Sequence, residues 1–355
     1  MSKLIEKNAH SKEAPNIGKM SPDKMQDLVS GCFGAPNTKL IVGPGQGLDA
    51  AIIQLDNDKI MAVAEDPIFP APGLPLETFG WFTVHIGASD VAVTGVNPEF
   101  MSYSLLLPPQ FSTTDTRTII ESISHTAKDL GITIVGGHTG WYGAVTVPTI
   151  GGITVWGYAD KNEWISPGGA QNGDILLMTK GPAIEATALL SVLNKDYLSK
   201  HIRADLLQQS LERTQQISVV QDAKIAFNSG GVHAMHDATE GGVLCGLYEI
   251  SSASKIPLYA DLDNVDIPED IQQCAHVLNF DPWCAISEGT LLLAVDPAYT
   301  TKVQKALKAS GSACFALGHF DSSLNMSMLK RDNVRQKLPL PVPDPFWDLF
   351  AHPHP

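Results

Sequence analysis

The sequence predicts a mixed α/β chain of the α+β kind, built as two units, from three observations. Apolar runs of strand length alternate with helical periodicities from Lys39 to Phe320. A polar, glycine-bearing stretch, Asp160–Gly173, interrupts that alternation near its middle and reads as a linker. The 355 residues, 44% hydrophobic and 17% charged, suffice for two buried cores.

Ser21-Pro22-Asp23 supplies an N-cap, a proline at the first helical position and an early acid, so a first helix is expected to run from there to Gly31–Gly34. Residues before it are expected to be mobile. Lys39–Val42, Ala50–Leu55 and Ile60–Ala64 read as strands, the last two joined by an Asp56-Asn57-Asp58 turn. Asp66–Pro75 is a proline-rich loop, Leu76–Val93 a helix and Phe100–Leu107 a strand. Thr113–Leu130 carries Ile119, Ile120, Ile123, Ala127 and Leu130 at helical spacing, and Gly131 closes it. Strands Ile132–Val135, Ala144–Ile150 and Ile153–Tyr158 complete the first unit. In the second, Asp174–Thr179, Thr290–Val295 and Ala313–Phe320 read as strands, and Ile184–Leu193, Ala204–Asn228, Glu240–Ser251 and Ile267–Leu278 as helices, with a break at Gly230-Gly231. The proline- and aromatic-rich tail, Leu338 to Pro355, is expected to pack as a strap.

A net charge of −14 disfavours nucleic acid and anionic membrane as main partners, which would be repelled at long range. A nucleotide remains compatible, because a metal and backbone donors act locally. Five cysteines without a Cys-x-x-Cys indicate neither a disulfide framework nor a zinc ribbon. The polar, lysine-bearing start is no secretory signal, and no stretch has the length of a membrane span, so a cytoplasmic protein is expected.

Four segments join carboxylates or histidine to glycines and small residues. In Gly43-Pro44-Gly45-Gln46-Gly47-Leu48-Asp49, the glycines let backbone N–H groups approach a ligand, and Asp49 offers the hard oxygen that Mg²⁺ prefers. Asp90 stands among small residues in Gly87–Pro98. Val135-Gly136-Gly137-His138-Thr139-Gly140 follows an apolar run, as a strand-to-loop junction would. His236-Asp237-Ala238-Thr239-Glu240-Gly241-Gly242-Val243 sets two acids three apart where a helix could begin. Each alone reads as turn chemistry; together they suggest one polyanion site.

Competing motifs fail. Gly43-x-Gly45-x-Gly47 lacks the following helix that a dinucleotide fingerprint needs, since Ala50–Leu55 reads as a strand. There is no Walker phosphate loop, no Gly-x-Ser-x-Gly elbow and no His-Glu-x-x-His. His233 and His236 lack a second zinc-ligand pair and read as structural or supporting residues. Glu240 alone is equally well the early acid of a helix. Lys39 and Lys180 are candidates for a phosphate contact, although surface lysines mostly stay solvated. A polyphosphate brings several negative charges that repel a nucleophile unless cations neutralise them. Asp49, Asp66, Asp90, Asp237 and Glu240 are therefore candidates to hold more than one Mg²⁺.

The set of segments resembles the aminoimidazole ribonucleotide synthetase-like, or PurM-like, ATP-using enzymes, which include the purine-pathway cyclo-ligase, thiamine-monophosphate kinase, selenophosphate synthetase and HypE. The carriers are Gly47–Ala51, Glu65-Asp66-Pro67, Ala88–Pro98, Gly136–Thr139 and His236–Val243, in order along the chain. Asn172–Gly181 and Ile184–Ala188 look closest to the HypE-like branch. The resemblance implies a two-domain PurM-like fold: an extension and helix over 1–37, an ATP-binding and dimerisation domain over 38–165, a carboxy-terminal α+β domain over 166–337 and a tail over 338–355. It implies a homodimer paired through sheet edges, with ATP and Mg²⁺ as cofactors. By position, Asp49, Asp66, Asp90 and Asp237 become metal or phosphate-site residues. Gly43, Gly45, Gly47, Lys39, Gly136, Gly137, Thr139 and Glu240 become nucleotide contacts, and Asp90, Asp237 and His138 catalytic residues.

Three departures limit the transfer. Leu48 stands where relatives have a second acid, and His138 stands where several have an acid, so His138 is expected to face the acceptor as a proton carrier or contact. HypE works through a terminal cysteine, whereas the last cysteine here is Cys314. The expectation is an Mg²⁺- and ATP-dependent enzyme that phosphorylates or activates a small-molecule acceptor. The alternatives are a nucleotide-binding maturation or scaffold protein with a protein partner, docking through Phe346, Trp347, Leu349 and Phe350, and a thiamine-monophosphate-kinase-like activity.

Overall fold

A computed structural model describes residues 17–55 and 58–354; the expectations for the amino terminus up to residue 16 and for the Asp56-Asn57 part of the turn lie outside them. Two sheets organise the chain. The first part runs α1 (Pro22–Leu28), β1 (Leu40–Val42), β2 (Ala51–Gln54), β3 (Lys59–Ile68), α2 (Leu76–Ala92), β4 (Phe100–Leu107), α3 (Thr113–Leu130), β5 (Thr133–Trp141) and β6 (Thr149–Asp160). Its six-stranded sheet has the order β1-β2-β3-β6-β4-β5. Only β4 and β5 pair in parallel, which requires the crossover that α3 provides.

The second part runs β7 (Ile175–Thr179), α4 (Ile184–Leu193), α5 (Lys195–Leu198), α6 (Ala204–Glu212), α7 (Val220–Ser229), β8 (Val232–Ala238), α8 (Gly242–Ser254), β9 (Leu258–Asp261), α9 (Glu269–Leu278), β10 (Thr290–Val295), α10 (Thr300–Ala309), β11 (Cys314–Phe320), β12 (Met328–Arg331), β13 (Val334–Lys337) and α11 (Phe346–Ala351). Its seven-stranded sheet has the order β13-β12-β9-β11-β7-β10-β8. The observed architecture is the expected mixed α/β one.

α2 joins the two parts. Apolar and small residues surround it, with Phe79, Phe82, Val84, Ala88, Val91 and Ala92 all buried, as suits a helix covered on several sides. It packs on β3, β6 and α3 of the first part and on α7 and β8 of the second. One continuous core consequently includes Ile52, Ile123 and Val155 from one sheet's side and Leu177, Met235 and Leu293 from the other's.

Several local expectations are corrected. Asp66 is not in a loop: β3 extends through it, and its position continues the inward alternation of Ile60, Ala62 and Ala64. The Gly136–Gly140 segment is no strand-to-loop junction but the middle of β5, which keeps its pairing because Gly137, at φ +146°, lies where an added Cβ would be 2.1 Å from the Tyr103 carbonyl. Ala144–Pro148 is turn and bend rather than strand, and β6 begins at Thr149. The helix expected over Ala204–Asn228 divides into α6, a 3-10 turn and α7, at the point where Arg213 makes a buried bidentate pair with Asp270. Glu240 precedes α8, which begins at Gly242.

The ends of α3 match their chemistry. Ser112 Oγ accepts the Asp115 N–H at 3.0 Å, and Gly131 closes the helix at φ +75°. Ser112→Ala is expected to lower stability by about 1 kcal/mol, read from the urea midpoint, without changing the far-UV spectrum.

Candidate active site

Four aspartates distant in sequence meet where α2 crosses between the sheets. Asp49 follows the glycine loop, Asp66 lies on the inward face of β3, Asp90 in the last turn of α2 and Asp237 near the end of β8. An acid in the last turn of a helix opposes the helix dipole, so stability does not account for Asp90. Asp90 and Asp66 share a carboxyl-to-carboxyl hydrogen bond, and Asp49, Asp237 and His236 each bring a donor atom within 4.8 Å of the others'.

Burial and crowding decide their protonation. Desolvation, then the neighbouring Asp66, Asp237 and Asp49, pushes the Asp90 pKa well above the ordinary carboxylate value. Burial and Asp49 push Asp237 to about 7, and burial raises Asp66 and Asp49 as well. These shifts are the signature of carboxylates held together without enough positive charge.

Part of the compensation comes from His236, within the fourth segment, and from Lys19, which no motif marks. His236 bridges two acids, with Nδ1 2.8 Å from Asp49 Oδ1 and Nε2 3.1 Å from Glu249 Oε2. Burial opposes its charge, but Asp49 and then Glu249 outweigh burial and hold its pKa well above the usual histidine value. Lys19 Nζ lies 2.7 Å from Glu249 Oε1, and the Lys19 backbone N–H donates to Glu240. Burial alone would raise Glu249; the His236 hydrogen bond and the Lys19 ammonium hold it at about 2 instead.

A second group of acids lies deeper. Glu288, in the turn before β10, is raised well above its usual range by burial, by Asp237 and by Glu185. Glu185, at the start of α4, is pushed to about 8 by burial although its carboxylate accepts the Glu288 N–H; Asp344 and Glu240 push the same way. Asp344, from the tail, accepts the Gly241 N–H at 2.7 Å and so closes the acid loop from outside. Ser287-Glu288-Gly289 resembles any polar turn, and only the pairing of β8 with β10, which brings Thr290 opposite Ala238, carries it to Asp237.

In the glycine loop, Gly47 packs so closely on α8 that a Cβ would stand 2.6 Å from the Glu249 carbonyl. Gly43 and Gly45 continue that loop toward β1, with Gly45 lining a cavity of about 1050 Å³ that Lys19, Gly47, Asp49 and Glu240 also line. Lys39 is exposed at the start of β1. The structure does not bring His138, Gly136, Gly137 and Thr139 to the aspartates of the same chain. They are exposed on the edge strand β5, with β6 and β4 between it and β3, and His138 Nε2 bonds the Tyr142 hydroxyl at 2.5 Å. Lys180 is also redirected, into a buried ion pair with Asp222 at 2.8 Å.

The donor set fits a hard divalent cation. Asp237 Oδ2 and Glu288 Oε1 are buried with no hydrogen-bond partner, and the surrounding groups are carboxylates rather than thiolates. Both His236 nitrogens are engaged with carboxylates, so His236 orients Asp49 and is not itself a ligand.

The AIR synthase related N-terminal domain profile matches residues 47–159, and the C-terminal domain profile of the same family matches residues 171–327. The chain belongs to the AIR synthase related family. The carbamoyl dehydratase HypE of Cupriavidus necator is 28% identical over 253 residues, covering 70% of this chain and 68% of that protein. A selenide, water dikinase of Clostridium botulinum is 26% identical over 258 residues, covering 72% and 70%. The crystal structure of a hydrogenase maturation protein HypE in complex with ATP has the same fold, with a TM-score of 0.66 at 20% identity over 93% of this chain and 97% of that one. The family's fold therefore holds the four aspartates in this chain.

Because the Glu185 pKa is raised on folding, the stability it contributes is fully present below the unfolded carboxyl value and is lost as pH rises toward about 8. Glu185→Gln is expected to flatten the fall in melting temperature between about pH 5 and pH 8. Parallel wild-type and variant curves over that range would reject the assignment.

Proposed function

We propose that the protein is an ATP-dependent, Mg²⁺-requiring enzyme that phosphorylates or ATP-activates a small-molecule acceptor. The observation that carries this reading is the convergence of Asp49, Asp66, Asp90 and Asp237 beside a glycine loop, with raised carboxyl pKa values and an unpartnered Asp237 oxygen. The names of the relatives support it: one is a dikinase, and one solved HypE holds ATP.

Asp49, Asp66, Asp90 and Asp237 would hold the cations. Bound Mg²⁺ would neutralise phosphate charge and let all four carboxylates stay ionised. The protein's own residues do the rest. His236, fixed between Asp49 and Glu249, holds the Asp49 carboxylate in one orientation. The Gly43–Gly47 backbone offers N–H groups to phosphate oxygens. Glu288 Oε1 has no hydrogen-bond partner, and bound cations would oppose the burial and acid neighbours that raise its pKa and so let its carboxylate accept a proton from an acceptor N–H or O–H. Lys19 and the tail residues Pro343 and Asp344 wall the cavity that Gly45, Gly47 and Asp49 also line.

The scaffold reading loses its motive observation. Phe346 is buried, and Trp347, Leu349 and Phe350 pack with it into this chain's own core beside α4. Pairing of two copies is part of the proposal, because β5 is an exposed edge strand carrying exposed Val135 and Trp141.

Asp90→Asn is expected to lower ATP turnover at least about a hundredfold, the scale of losing a main electrostatic stabiliser. Phosphate release with Mg²⁺, ATP and pooled metabolites measures it, and near-normal release with intact metal dependence would sink the proposal. Val135→Lys is expected to shift the mass read by light scattering from dimer toward monomer; a monomeric wild type would exclude the pairing.

A further inference from the structure

Lys180 is a partly buried hub rather than a phosphate ligand. Just past β7, at φ +59°, its ammonium donates to the Ser218 carbonyl at 2.6 Å and the Gly289 carbonyl at 2.9 Å, and pairs with Asp222 Oδ2 at 2.8 Å. The ammonium thus donates two hydrogen bonds to carbonyls and pairs by charge with Asp222, whose Oδ2 makes no hydrogen bond.

The two carbonyl partners lead to the acids. Gly289 follows Glu288 directly. Ser218 is docked on α2: its hydroxyl lies 2.8 Å from His85 Nδ1, and the next N–H, of Val219, reaches Ser89 Oγ at 3.4 Å, one residue from Asp90. The other side of the turn is fixed separately, with the Ser287 N–H donating to the Thr239 carbonyl at 3.1 Å and the Glu288 N–H to Glu185. The Glu288 side chain thus stands on a peptide unit gripped from both sides, while its own Oε1 has no partner.

We propose that Lys180 is a positioning residue that ties the Glu288-Gly289 turn to the Ser218 corner docked on α2, and so sets how Glu288 stands relative to Asp90 and Asp237. Its consequence for catalysis rests on the function proposed above; the tie itself does not. A methionine in place of Lys180 fills similar space without the two hydrogen bonds and the ion pair, but leaves Asp222 buried with only the Ser312 hydroxyl. Asp222→Asn in the same chain removes that unpaired charge.

Hydrogen exchange on the full chain tests the tie. In the double variant Lys180→Met with Asp222→Asn, the amides of Val219, Ser287 and Glu288 should exchange about tenfold faster or more, while Leu292 and Leu293 in β10 keep wild-type protection. Unchanged exchange at the turn, or a uniform rise across β7 and β10, would overturn the proposal. Kinetically, the double variant should lose about tenfold or more in turnover while its affinity for Mg²⁺ and the non-hydrolysable analogue AMP-PNP, by titration calorimetry, stays within about threefold. It should cost little more when combined with Glu288→Gln. A loss that adds in full to that of Glu288→Gln, or an equal loss of nucleotide affinity, would overturn it. If the wild type shows no ATP turnover at all, the proposed function fails and the exchange result still decides the role of Lys180.

Discussion

Four carboxylates withdrawn from water repel one another, and the fold holds them together despite that repulsion. Their raised pKa values express the cost. What prevents the acids from spreading is that they ride on elements whose positions are set by apolar packing elsewhere: β3 by its alternation, α2 by a core that surrounds it, and β8 by its pairing with β10. His236 and Lys19 offset part of the excess negative charge and leave the rest for a ligand.

This explains the two kinds of acid in the cleft. Glu249 is held low because it has two cationic neighbours, whereas burial and then acidic neighbours hold Asp90 and Glu288 high. The first kind fixes geometry in the resting protein. Under the proposed function, the second kind would change charge when cations or substrate arrive, which is where chemistry can be coupled to binding.

Much of the fold was legible from local patterning. α3 carried its periodicity, its Ser112 cap and its Gly131 stop within one window, and β3, β7 and β10 were apolar runs bounded by turn residues. β8 was not read as a strand, because His233, His236 and Asp237 interrupt its apolar character; it is buried only by α2 and its neighbours. Of the candidate site, Asp49, Asp66, Asp90 and Asp237 could be read, since small residues beside an acid leave a local trace. Glu185, Glu288, Glu249 and Lys19 could not, because each looks ordinary in its own segment and gains its surroundings from long-range pairing. His138 shows the reverse failure: a suggestive motif whose strand lies at the far edge of the sheet.

The core that runs without interruption from the first sheet through α2 to the second has a dynamic consequence. Two units joined by a flexible segment would open by swinging apart, but here such a swing would tear α2 from one of its two sheets and expose buried leucine, isoleucine and valine to water. Under the proposed function, ligand exchange at the acids would therefore fall to the thin structures on the rim: the segment around Lys19, the glycine loop and the tail near Asp344, which meet through polar contacts such as Lys19 with Glu249 and Gly241 with Asp344.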